Sequence, residues 1–441
     1  MEFHRASLPE TIAALRSGEL DLVAYITEII RRVEATDAEI RALLPEPGRR
    51  ERLLADARAL LEKYPDPAGR PPLFGIPVGV KDLLHVDGME TRAGSYLPPG
   101  PLTGPEGSLV RQIKALGGII LGKTETDEFA HSEPPVTRNP RNLKHSPGGS
   151  SAGSAAASAV GISPITIGTQ TFRSIIGPAS FCGTMGYKPS WNTVPSDGVV
   201  YMCESVDTLG FLAQDLPSIV TAAELLAGIV PTPGLMRPIL GFPVNVGNAA
   251  LTPDAAVALD AQLAALKAAG FEVRRIPVFS GAYLAEAGRQ IGQLLPYEMV
   301  RTHREWFPKY AHLYRSRTHD SLVHGRQVTD AQYAEAKAFQ AEHRRKIEAL
   351  MDDNGIDLWV LPGTNGPAPE NYYVTGWGEQ TASWSLAGLA SLVFPAGFAD
   401  NGLPLGLQFI PRYGADADLL AWAAFIEPVF AAVRQQLYPA P

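Results

Sequence analysis

Apolar positions recur at helical spacing from the start of the chain: Leu8, Ile12 and Leu15, then Leu22, Ile26, Ile29, Ile30 and Val33. They predict helices with polar outer faces across residues 7–65, broken at Pro45 and Pro47. Pro65, Pro67, Pro71 and Pro72 close that region as an irregular connector. The texture then changes. Residues 76–80 form a short apolar run that reads as a strand, 108–116 an amphipathic helix ended by Gly117-Gly118, and 119–121 a second strand. Apolar strands alternate with Leu-, Ala- and Gly-rich helices to about residue 225, which predicts an α/β sheet with helices on both faces.

Residues 238–350 read differently, as a peripheral and mostly helical region. Strand character is confined to 239–244 and 271–273, on either side of an Ala-rich helix at 255–269. A long charged helix is predicted over 329–351, with its Lys and Arg late, as the helix dipole favours. Residues 357–361 read as a buried strand followed by a Pro/Gly loop at 362–369. Loops at strand carboxyl ends are where α/β proteins place chemistry. One domain over residues 1–441, carrying this region as an insertion, is expected.

Composition narrows the class. With 45% apolar and 19% charged residues, the chain has a globular composition rather than a disordered one. The net charge of −8 argues against nucleic acid or an anionic membrane as partner. Cys182 and Cys203 are the only cysteines and cannot build a disulfide framework. The first residues hold no apolar leader, and no run approaches the roughly 18 apolar residues of a membrane span. A cytoplasmic chain is expected.

Several tempting motifs fail on context. Residues 117–124 satisfy the phosphate-loop pattern G-x-x-x-x-G-K-T, but a helix precedes them and their middle is the strand Ile119-Ile120-Leu121. The match is accidental. His303, His312, His319, His324 and His343 lie in the charged helical region without metal-ligand spacing. His85, His131 and His145 lie nearer the glycine-rich core and read as supporting residues. No G-x-S-x-G elbow occurs.

The informative stretch is 146–183. Ser146-Pro147-Gly148-Gly149-Ser150-Ser151-Ala152-Gly153-Ser154 leads into an Ala-rich helix at 155–160 and a strand at 165–167. Gly168-Thr169-Gln170-Thr171-Phe172-Arg173-Ser174-Ile175-Ile176-Gly177-Pro178 follows. From these residues alone, a flexible linker and a chemical site both remain open.

The segment is similar to the signature of the amidase signature family. Gly75-Ile76-Pro77-Val78-Gly79-Val80-Lys81-Asp82 resembles that family's lysine strand, and Gly122-Lys123-Thr124 leading to Asp127-Glu128-Phe129-Ala130 resembles another of its segments. Ser205 to Gly210 and Gly402 to Gln408 fit its downstream motifs, so about residues 70–225 and 355–430 are covered well. The resemblance implies an α/β/α sandwich with a mixed central sheet. It also implies hydrolysis of a C–N bond in an amide, or alternatively a carbamate, urethane or aryl acylamide, with no metal or cofactor.

Carried over by position, the family's Ser-Ser-Lys triad falls on Ser174 as nucleophile, Ser150 as relay and Lys81 as base. The spacings of 69 and 24 residues suit it. The resemblance implies a cis peptide before Ser150, and a Lys81 whose pKa falls from about 10.4 towards neutrality. It places the oxyanion hole on the backbone N–H groups of Thr171, Phe172, Arg173 and Ser174. Gln170, Phe172 and Arg173 are the expected substrate contacts, and Tyr372, Tyr373, Trp377 and Trp384 either line an apolar pocket or pack in the core.

Two departures stand out. Phe172-Arg173 occupies the family's usual Gly-Gly, and Ile176-Gly177 stands where an Arg is common. If those glycines need positive φ, their replacements are strained by about 1–2 kcal/mol. Arg173 is expected to replace the missing arginine. Two alternative functions follow: the glutamine-hydrolysing subunit of an aminoacyl-tRNA amidotransferase, or a catalytically impaired binding protein. The amidotransferase branch typically has Asp where Gln170 stands, which favours a standalone hydrolase acting on a small molecule. Oligomeric state is not legible.

Overall fold

β1 (Pro77–Lys81) has no polar side chain before its last residue and is buried along its whole length. Such a strand needs neighbours on both edges and cover on both faces. It has them. The computed structural model describes residues 6–439 except 245, 247–249 and 377. β1 pairs in parallel with β2 (Ile119–Thr124) and β3 (Ile165–Gln170).

The sheet continues through β4 (Met185–Lys188), β5 (Thr208–Ala213), β6 (Leu240–Pro243), β7 (Val273–Ile276), β8 (Leu358–Pro362), β9 (Ser391–Phe398) and β10 (Pro404–Ile410). The ten strands lie in the order β2-β1-β3-β5-β4-β9-β10-β8-β6-β7. β3–β5–β4–β9–β10–β8 pair antiparallel, and β8–β6–β7 parallel. The sheet is mixed, as expected. Strands at 240–243 and 273–276 place part of the 238–350 region inside the sheet.

Helices cover both faces. Ala152–Ala159 packs on β1, β3 and β5 and touches Ile176–Cys182, which lies on β4, β9 and β10. Leu216–Ala227 covers β3, β4 and β5 from the opposite side, beside Asp416–Leu437 on β9. Ala152–Ala159 is built only of Ala, Gly and Ser, all buried, so its backbone approaches the sheet closely. The same holds for its neighbour: a Cβ at Gly406 would meet Ser180 Oγ at 2.3 Å. No helix among the described residues is long and apolar enough to cross a membrane.

The helices Gly281–Thr302, Ser316–Gly325 and Asp330–Asp353 pack together. They support the 127–131 segment from outside: the Phe129 ring lies edge-on to His303 at 4.4 Å and stacks with Tyr314 at 5.3 Å. The phosphate-loop look-alike is the edge strand β2 itself. Its Lys123 forms a buried ion pair with Asp82 at 2.8 Å.

Candidate active site

Because β1 and β3 are parallel, Lys81 and Gln170 end their strands on the same side of the sheet. Alternation along β1 sends Asp82 to Lys123 and leaves Lys81 facing the serine-rich loop. Lys81 Nζ lies 2.7 Å from Ser150 Oγ, 3.0 Å from Ser151 Oγ, 2.8 Å from Thr169 Oγ1 and 3.3 Å from the Thr169 carbonyl. The Gly149–Ser150 peptide bond is cis. Ser151 stands at the start of Ala152–Ala159, yet its side chain makes no cap. Its hydroxyl donates to the Thr169 carbonyl at 3.1 Å and accepts the Thr169 amide at 3.2 Å.

Ser174 follows β3 by four residues, and its carbonyl accepts the Ser151 amide at 3.1 Å, which ties the two loops together. The residue is 5% exposed. Among the described residues no hydrogen bond ends on its hydroxyl, and none uses the amides of Thr171, Phe172, Arg173 or Ser174. Four successive backbone donors are therefore open, whereas buried backbone amides are ordinarily bonded. The next two amides differ: Gln170 Oε1 accepts from Ile175 at 2.9 Å and Ile176 at 3.0 Å. Gln170 Nε2 donates to Ser385 Oγ at 3.0 Å, and Ser385 donates to the Phe172 carbonyl at 3.1 Å.

Gln170, an expected substrate contact, shapes the loop through both ends of its buried amide. The conditional strain at Phe172-Arg173 is also absent, since neither residue has positive φ. Phe172 is half-buried against the main core. Arg173 donates from Nη2 to Thr375 Oγ1 at 2.9 Å.

Burial drives the electrostatics. It pulls the Lys81 amine down to about 7, against the opposing charges of Asp127 and Asp207. It raises Asp127 to about 7 despite Arg173 and Lys81, and Asp207 to about 6. Asp207 accepts from the Thr171 hydroxyl and from the amides of Met202 at 2.8 Å and Cys203 at 3.0 Å, fixing the start of the 171–174 loop.

Ser151, Thr169, Asp127, Asp207 and Thr375 are site residues that pattern reasoning missed. Asp127 and Asp207 lay in the resembling segments 127–130 and 205–210, Ser151 and Thr169 within the 146–183 stretch, and Thr375 carried no signal. The aromatic expectations divide. Trp384 is core, 5.4 Å from Trp359. Tyr372 lies under Arg138 with its hydroxyl on the Leu143 carbonyl, and Tyr373 is at the surface. Trp377 lies outside the described residues. The 362–369 loop meets the serine-rich segment, where Ala368 accepts from His145 and Pro369 from the Ser146 amide.

A buried lysine on paired serines, beside a loop of open amides, defines with this fold an amidohydrolase. The Amidase family model matches residues 24–420, and the chain belongs to that family. It is 28% identical over 487 residues to the glutamyl-tRNA(Gln) amidotransferase subunit of Koribacter versatilis, covering 98% of this chain and 100% of the relative. A crystal structure of an amidase superposes with a TM-score of 0.86 at 29% identity, covering 96% of this chain and 100% of the other. The peptide amidase of Stenotrophomonas maltophilia shares the fold, with a TM-score of 0.83 at 24% identity and 98% coverage of both chains.

Proposed function

We propose that the protein hydrolyses a C–N bond of a small-molecule amide through an acyl-enzyme on Ser174, with Ser150 and Lys81 carrying the proton. The observation that carries this reading is the set of contacts around Lys81 Nζ. A neutral amine has two N–H groups and one lone pair. The Ser151 proton is committed to the Thr169 carbonyl, so the Lys81 N–H groups serve the Ser151 and Thr169 oxygens. The lone pair is left for the Ser150 hydroxyl, 2.7 Å away. Ser150, having given its proton towards Lys81, takes the proton of Ser174 as that hydroxyl attacks the carbonyl. The same relay in reverse protonates the leaving amine, and water then releases the acyl group.

The amides of residues 171–174 supply donors for the tetrahedral oxyanion, each worth about 3–4 kcal/mol in comparable sites. They are backbone groups, so Phe172 and Arg173 leave them in place. Carbamates present the same carbonyl and enter the proposed substrate class with amides.

A second reading, a partner-dependent amidotransferase subunit, is favoured by the name of the Koribacter relative. Gln170, an uncharged residue whose amide bonds to Ile175, Ile176 and Ser385, supports the standalone enzyme. The test is turnover by the purified chain alone, using a panel of aliphatic amides, anilides, carbamates and glutamine. Hydrolysis of a simple amide without other proteins supports the proposal. Activity only with glutamine and partner subunits replaces it with the second reading.

A further inference from the structure

Arg173 is underused as an arginine. Of its five N–H donors, the hydrogen bonds among the described residues use only Nη2, towards Thr375. Nε is buried without a partner, and no bond ends on Nη1. A guanidinium held for structure alone normally satisfies several donors. This one adjoins Ser174 in the chain and is held beside the residue 149–150 turn by Thr375, whose carbonyl also accepts the Gly149 amide at 3.1 Å.

The surrounding charges narrow what it can take. Asp127 and Glu379 attract Arg173, and Arg317 repels it. Asp127 is 1% exposed and packs against Gly149, where a Cβ would lie 2.3 Å from Asp127 Oδ1. Two acidic groups already draw on this guanidinium. A free carboxylate on the substrate would compete with them beside the buried Asp127. An uncharged carbonyl oxygen would use the unbonded Nη1 donors without adding a charge.

Resting on the acyl-enzyme reading above, we propose that Arg173 is a specificity-determining residue. It takes a second, uncharged carbonyl oxygen of the substrate, so the preferred substrates are amides whose acyl part carries a further amide, ketone or carbamate group.

The experiment compares kcat/KM for pentanamide, levulinamide, N-acetylglycinamide and succinamate in the wild type, Arg173→Met and Arg173→Lys. Reading ratios within each variant cancels general losses of activity. The two carbonyl-bearing amides should exceed pentanamide by about tenfold or more in the wild type. The ratio should collapse towards one in Arg173→Met and recover in part in Arg173→Lys. Equal rates, or none, in a wild type that a fluorophosphonate labels at Ser174 overturn the inference alone. A ratio unchanged in Arg173→Met also overturns it, and so does a preference for succinamate. A protein that is neither labelled nor active overturns the acyl-enzyme reading itself.

Discussion

Gln170 and Ile176 are joined by a hydrogen bond in which the side-chain carbonyl accepts the Ile176 amide at 3.0 Å, beside a twin from Ile175 at 2.9 Å. One carboxamide oxygen thereby ends the 171–174 loop and starts the helix Ile176–Cys182. Gln170→Leu should strand two buried amides and free Ser385, costing about 2–4 kcal/mol in urea unfolding and lowering kcat. Unchanged stability would show that the loop is held by other contacts.

Ser151 provides a positioning prediction. Its hydroxyl holds Lys81 at 3.0 Å and both backbone groups of Thr169 without touching Ser174. Ser151→Ala should lower kcat by about tenfold or more while KM stays near the wild-type value. Ser151→Thr should recover part of the loss. Equal changes in kcat and KM would place Ser151 in substrate binding instead.

The pH profile follows from Lys81. Burial puts its amine at about 7, and only the neutral amine accepts a proton, so kcat/KM should rise with pH along a limb centred near 7. Asp127 acts to raise that value, so Asp127→Asn should move the limb to lower pH. A limb at the ordinary lysine value would contradict the burial argument.

Stability carries the same signature with a definite sign. The folded-state value of about 7 lies below the ordinary 10.5, so between these pH values the unfolded chain binds the extra proton. The penalty of burying the charge is complete below pH 7 and relieved as pH rises to 10.5. Relative to Lys81→Met, the wild type should gain about 3–5 kcal/mol of unfolding free energy across that window. Parallel pH curves for the two proteins would refute it.

What the chain revealed in advance was whatever is local. The apolar run ending at Lys81 announced β1, and the small-residue stretch after Ser150 announced the helix Ala152–Ala159. Lys81, Ser150 and Ser174 were legible as a set through family resemblance, and Lys81 and Ser150 meet at 2.7 Å. The supporting shell was not legible, because its contacts cross long stretches of chain. Thr375 reaches Arg173 over 202 residues and Ser385 reaches Phe172 over 213. Ser151 was not singled out because no pattern says that a serine at a helix start has turned inward to a lysine. Gln170 drew attention for its substitution, but its bonds to amides five and six residues on depend on the loop's three-dimensional path.

Acylation of Ser174 with Lys81 drawing off its proton is tested by intact-mass spectrometry after incubation with a serine-reactive fluorophosphonate. One adduct is expected on the wild type, none on Ser174→Ala, and labelling slowed by about 10³-fold or more in Lys81→Met. An adduct that persists in Ser174→Ala, or labelling of Lys81→Met at the wild-type rate, would contradict it.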